Sequence, residues 1–234
     1  MSVLSAAQSA AVRLIGQRPP TIFGASDTFA LEMQDLLNET AADIAQYQDW
    51  RKMILRATIN GDGTTTAFPF PPDFKQMILT GEMHPSMWPT WRHQQIVDLD
   101  RWEDLLRVGV VVSPGYWTIL NNVLNFYPAI PAGESVTYFY VSRYYASEPN
   151  GVPKSEFNQD SDVFVLEPPG QERMLTLGLV WRWRSQKRLE YAEDMANYQK
   201  ALTEYASRDR GPLVFSVGRP NWANNAGWPV TDWW

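Results

Sequence analysis

Cysteine is missing from all 234 residues, which excludes disulfides, thiolate zinc sites, iron–sulfur clusters and a cysteine nucleophile. Histidine is nearly missing as well. His84 and His93 are the only imidazoles, and they stand outside H-E-x-x-H or any comparable ligand spacing, so they read as surface or packing residues. The chain has no G-x-S-x-G, no P-loop and no G-x-G-x-x-G. No segment approaches a run of about eighteen apolar residues, and the opening M-S-V-L-S-A-A-Q-S-A lacks a basic stretch followed by an apolar one. Neither a membrane span nor a signal peptide is expected, and the chain reads as soluble. A basic surplus is also absent: 20 Lys and Arg face 26 Asp and Glu, a net charge of −6. Such a chain is not built to wrap nucleic acid, although an acidic surface that repels phosphates suits a passage through which DNA slides.

What is present is aromatic. Eleven Trp, 10 Tyr and 10 Phe, with a hydrophobic fraction of 44%, describe a chain that folds around a real core. The pattern centres on a helical run from about Gln171 to Arg210. Its second half sets Leu189, Ala192, Met195, Ala196, Tyr198, Leu202, Tyr205 and Ala206 at three- and four-residue spacings, one apolar helix face. Its first half is different: Leu175, Leu177, Leu179, Val180, Trp181 and Trp183 leave almost no polar side, so this stretch must be covered on several sides. Gly211-Pro212 ends the run. Beyond it, an arm without periodicity carries Phe215, Trp222, Trp228, Trp233 and Trp234. That much aromatic surface marks a partner-binding segment, the alternative being an arm folded back over its own domain.

In chain order, Ser2 is placed to cap a helix through Ile15 with Leu4, Ala7, Ala11, Leu14 and Ile15 on one side and Gly16 closing it. Pro19-Pro20 breaks the next segment, and Ser26-Asp27 opens a long helix with Phe29, Met33, Leu36, Leu37, Ile44, Tyr47 and Trp50 inward. A hairpin is expected between Thr58–Asn60 and Thr64–Phe70 around Gly61-Asp62-Gly63, with Pro69, Pro71 and Pro72 confining its second strand to an edge. Residues 74–91 read as irregular, and a short helix capped by Asp98 or Asp100 follows. Residues 117–120 and 123–127 flank Asn121-Asn122 as a second hairpin, and residues 135–145 form a central strand with bulk on both faces. Residues 146–159 read as a loop and 162–166 as a last short strand.

The expected fold class is α+β. A helical bundle is built from 1–57 and 168–210, an antiparallel β-rich subdomain is inserted at 58–167, and an extended arm occupies 211–234. Candidate chemistry is sparse. Asp160 and Asp162 have the residue type for a divalent cation, and Glu103-Asp104 or Glu193-Asp194 for glycosidase carboxylates, but adjacent acids on helices usually form solvated faces. No metal, cofactor or catalytic residue is assigned, and an enzyme is not expected. The cluster Arg182, Arg184, Lys187 and Arg188 suits bidentate contact with carboxylates at an interface, or pairing with Glu190, Glu193 and Asp194 on its own helix.

Several of these segments together resemble the head-to-tail adaptor, or head-completion, proteins of tailed phages, similar to the tail tubular protein A class. The resemblance lies in the small-residue helix ending at Leu14-Ile15-Gly16, the second helix ending near Tyr47-Gln48-Asp49-Trp50-Arg51, and the β segment Leu124-Asn125-Phe126-Tyr127-Pro128 through Pro131-Ala132-Gly133-Glu134. Most specific is Trp181-Arg182-Trp183-Arg184 through Leu189-Glu190-Tyr191-Ala192 to Tyr198 and Arg208-Asp209. The resemblance implies a structural virion protein at the head–tail junction, made in the host cytoplasm. It implies a homo-oligomeric, dodecameric ring that docks on the portal protein, meets a downstream nozzle or tail-tube protein, and passes DNA without sequence-specific binding. Phe215, Trp222, Trp228, Trp233 and Trp234 would then bind the partner, and Trp181, Trp183, Arg182, Arg184 and Arg188 would lie at the subunit interface. The alternative is a tail-associated glycan-binding module or cell-wall hydrolase using the tryptophans as a sugar platform.

Overall fold

The computed structural model describes residues 2–78, 81–87, 90–109, 114–166 and 172–209. The fold is α+β, and its described residues divide into two compact units, one of residues 2–54 and 141–209, the other of residues 55–140. The arm, with Phe215, Trp222, Trp228, Trp233 and Trp234, lies outside the described residues.

The first unit is a helical bundle. It contains α1 (Val3–Ile15), α2 (Thr28–Tyr47), α4 (Arg173–Gln186) and α5 (Ala192–Asp209), and α1, α2 and α5 each pack on α4. That arrangement explains why α4 is apolar on nearly every side: each residue from Met174 to Val180 is buried. Close approach is set by small residues. Ala6, Ala7, Ala10 and Ala11 form the buried side of α1, whereas Leu4, Leu14 and Ile15, expected inside, are half-buried or exposed. At Gly178 a Cβ would meet Thr40 Cγ2 at 2.3 Å and the Tyr198 ring at 3.3 Å, so only glycine lets α2 and α5 sit this close to α4.

α1 ends as expected on Gly16 in the left-handed conformation, and Asp27 caps α2 by accepting from Ala30 N–H at 3.1 Å. Met33, Leu36, Leu37 and Ile44 are buried on α2 and Trp50 just beyond it, while Tyr47 is exposed. The run from Gln171 to Arg210 is two helices and not one. The chain turns at Lys187–Tyr191, with Arg188 at φ 57°, Leu189 N–H returning to the Arg184 carbonyl at 2.9 Å, and the Glu190 carboxylate accepting from Ala192 N–H at 3.3 Å. No Gly or Pro marks the break. α5 buries only Tyr198, Ala201 and Leu202, so Leu189, Ala192 and Ala196 of the expected apolar face are exposed.

The same unit holds a three-stranded sheet, β9 (Ala146–Ser147) between β10 (Pro153–Lys154) and β11 (Val163–Phe164), all antiparallel. Residues 146–159 are therefore not a simple loop, and this segment belongs with the helices and not with the insertion, which ends at Tyr140.

The second unit carries β1 (Ile54–Asn60), β2 (Ala67–Pro69), β3 (Phe74–Met77), β4 (His84–Pro85), β5 (Gln94–Gln95), α3 (Leu99–Val108), β6 (Tyr116–Leu120), β7 (Val123–Tyr127) and most of β8 (Ser135–Ser142). β8 is central, between β1 and β3, and also pairs with β4; the other sheet runs β2, β7, β6, β5. The β6–β7 hairpin forms on Asn121 and Asn122, both left-handed at φ 51° and 59°. The other expected hairpin does not form, because β1 pairs with β8 and β2 with β7. The Asp62 carboxylate accepts from Thr64 N–H, Thr65 N–H and the Thr65 hydroxyl, and Gly61 N–H donates to the Glu134 carbonyl, turning the chain away. These donors, the Thr65 hydroxyl foremost, hold the Asp62 carboxyl well below the usual carboxylate range. β2 is an edge strand, as its prolines require, and residues 74–91 hold β3 and β4 where no regular structure was expected. The core of this unit is Trp117, Leu124, Phe126, Ile130, Val136, Tyr138 and Tyr140, with Phe68 edge-on to Phe126.

Candidate functional site

The residues the sequence marks for chemistry are engaged in folding. Asp162 is fully buried, and its carboxylate accepts Lys154 Nζ at 2.9 Å on both oxygens and the N–H groups of Asn158 and Gln159 at 2.9 and 3.0 Å. Asp160 accepts Ile22 and Phe23 N–H at 3.0 and 2.8 Å together with the Thr21 hydroxyl. The acceptor sites of Asp162 are taken by donors of the chain, and Asp160 accepts three such donors, so both act as structural ties. Among the described residues no group of three or more His, Asp or Glu is placed to hold a metal. His93 is buried edge-on to Phe126, and burial pushes its imidazole down to about 4. Of the nominated carboxylate pairs, Asp194 is tied to Arg184 at 2.5 Å. None of the described helices is long and apolar enough to cross a membrane.

The Trp/Arg cluster at the end of α4 is a different kind of site. Successive residues turn about 100° around a helix, so the four side chains fan out to different neighbours. Trp181 faces α5, 6.4 and 6.0 Å from the rings of Tyr191 and Tyr198. Arg182 is buried against α2, donating to Thr40 Oγ1 at 3.0 Å and paired with Asp43, with its guanidinium 5.0 Å from the Trp181 ring centre. Trp183 lies edge-on to Phe29 and donates to Glu32 at 3.0 Å. Lys187 adds a second hold on Glu32 at 2.5 Å, over the Trp183 ring. Arg184 reaches α5 through Asp194, and Arg188 stands exposed in the turn. The structure thus brings Trp181, Arg182, Trp183 and Arg184 together inside one subunit.

Beside this cluster, α2 and α4 frame an open groove of about 650 Å³. Leu31, Leu36 and Trp181 give it apolar walls, and Glu32, Asp35, Glu39 and Asp43 line it with carboxylates. Two of these acids are neutralised, Glu32 by Lys187 and Asp43 by Arg182; Asp35 and Glu39 are exposed and have no cationic partner among the described residues. The indole N–H of Trp181 is shut off from water and also lacks an acceptor. This row is not among the site residues expected from the sequence. Its signal was available, since positions 32, 35, 39 and 43 follow the three- and four-residue spacing of one helix face. Chemically, such a groove repels phosphate and receives a surface that carries cations beside aliphatic side chains.

With this geometry in place, comparison with protein families gives a match over almost the whole chain: the family described as SU10 adaptor protein matches residues 1–219. The chain belongs to this family and is a structural head-to-tail adaptor of bacteriophage virions. No curated protein matches it.

Proposed function

We propose that this member of the SU10 adaptor family works as a homo-oligomeric ring, a dodecamer in the reading its resemblances suggest. The ring docks on the portal, extends the DNA channel and gives the downstream tail protein its platform. The match over residues 1–219 carries the reading. It is supported by the use of Asp160, Asp162 and Asp194 as internal ties. The action is association, without a chemical step.

In this reading the domains divide the work. The bundle of the N- and C-terminal segments and the arm at 211–234 meet the portal, and the inserted β-rich unit meets neighbours and tail. Phe215, Trp222, Trp228, Trp233 and Trp234 anchor the arm, because aromatic side chains bury large area at low entropic cost. Trp181 and Arg182 contribute to the subunit interface by lining the α2–α4 groove, and Trp183, Arg184 and Arg188 by the surface at and just beyond the end of α4. A net charge of −6 suits a channel that must not grip DNA.

Deleting residues 211–234 tests the arm. The truncated chain should keep its fold and lose portal affinity by about a hundredfold or more, the scale of removing several interface anchors. Equal affinity of both chains would remove the arm from the portal contact, and a cleared band on a cell-wall zymogram would replace the adaptor action with hydrolysis.

A further inference from the structure

We infer that the α2–α4 groove is the socket of a head-to-tail contact between copies of this chain, and that it receives the end of α1, residues 12–18, from the next copy. The inference rests on the ring reading above and names the surfaces that build the ring.

The socket is an incomplete structure as a monomer. Asp35 and Glu39 stand one turn apart on α2 with Asp43 a turn beyond, and like charges at this spacing weaken a helix. Nothing among the described residues neutralises the first two. Leu31, beside them in the groove wall, is 50% exposed. The groove therefore asks for cations and aliphatic surface together.

The end of α1 supplies both. Val12 and Ile15 are 45% and 41% exposed, and Arg13 and Arg18, within the same seven positions, have no carboxylate partner among the described residues. Other exposed cations of the helical unit lack this company: Met174 and Leu175 beside Arg173, and Ala201 and Leu202 beside Lys200, are buried; Arg107, between the exposed Leu106 and Val108, is the rival insert and lies in the β-rich unit. Arg188 does have the exposed Leu189 next to it, but it follows Lys187, which is bound to Glu32 in the groove wall, so it belongs to the socket's own side. α1 and α2 pack on α4 and not extensively on each other, so the α1 end of one subunit lies apart from its own groove. Socket and insert are different surfaces. A contact between unlike surfaces repeats from copy to copy and closes into a ring when its rotation permits.

Charge swaps test the pairing in the full-length chain assembled with its portal, read by mass photometry. Asp35→Lys with Glu39→Lys, and separately Arg13→Glu with Arg18→Glu, should each raise the concentration for half-assembly about tenfold or more, because each sets like charges face to face. All four changes together should restore assembly to within about threefold of wild type, since the pairs are exchanged and not lost. The cysteine-free background gives a second readout that does not depend on these variants folding. With Val12→Cys and Leu31→Cys in one chain, a short bis-maleimide should give a ladder of covalent multimers, and either change alone should give none. If wild type assembles while the charge variants match it and no ladder forms, the contact lies elsewhere and the ring reading stands. If wild type adds no mass to the portal, the ring reading fails and this inference falls with it.

Discussion

The helical unit and the β-rich unit are held together by different means. In the helical unit, polar side chains tie segments that are remote in sequence. Asn38 accepts from Phe157 N–H across 119 positions, Asp160 from Ile22 N–H across 138, and Arg182 donates to Thr40 across 142. The β-rich unit instead surrounds Trp117, Phe126 and Tyr138 with apolar neighbours, and burial there pushes the His93 imidazole down to about 4. A bundle assembled from both ends of a chain has few local contacts to fix its register, and directional hydrogen bonds supply that register. Hairpins find theirs through turns and alternation.

The largest expected effect breaks a tie in the helical unit. Asp162→Ala leaves Lys154 and the N–H groups of Asn158 and Gln159 without their acceptor in a buried place, at a cost of about 3–5 kcal/mol in denaturant unfolding. Replacing Lys154 and Asp162 together with apolar residues should recover part of the loss, which separates the orphaned charge from the packing.

Acid provides the matching test on the β-rich side. His93 takes its proton near 6.5 when unfolded and near 4 in the fold, so between those values the unfolded state binds more protons. Stability is fully present above pH 6.5 and falls as pH drops toward 4, by about 3 kcal/mol at most. His93→Leu should flatten that slope in urea titrations at several pH values, and an unchanged slope would place the acid sensitivity elsewhere.

The smallest effect concerns packing at α4. Gly178→Ala pushes a methyl group onto Thr40, at about 1–3 kcal/mol for overpacking less roughly 1 kcal/mol for alanine's better helix propensity. Thr40→Ser removes the offending Cγ2 and keeps the hydroxyl that Arg182 uses, so the double variant should melt closer to wild type than Gly178→Ala does.

These differences also explain what was legible in the sequence. The Asn121-Asn122 hairpin, the central aromatic strand, the Asp27 cap and the all-round burial of α4 follow from turn chemistry and hydrophobic pattern, which act locally. The first hairpin was misread because Gly61-Asp62-Gly63 specifies a turn without specifying which strands it joins. The break at Lys187–Tyr191 depends on Arg188 in a left-handed conformation and a cap from Glu190, neither of which has a strong sequence signal. Asp160 and Asp162 gave no sign of their structural role, because most of their donors are backbone N–H groups, which leave no mark in a sequence. At the site, the Trp/Arg cluster stood out as a motif, whereas the row at Glu32, Asp35, Glu39 and Asp43 became a groove wall only when α4 was laid beside it.

The most direct measurement is the native mass of the portal with and without the full-length chain. A gain equal to a whole ring of 234-residue chains, with no partly filled intermediates at saturation, is the expected result. A gain of one or two chains, or none, would contradict assembly as the function.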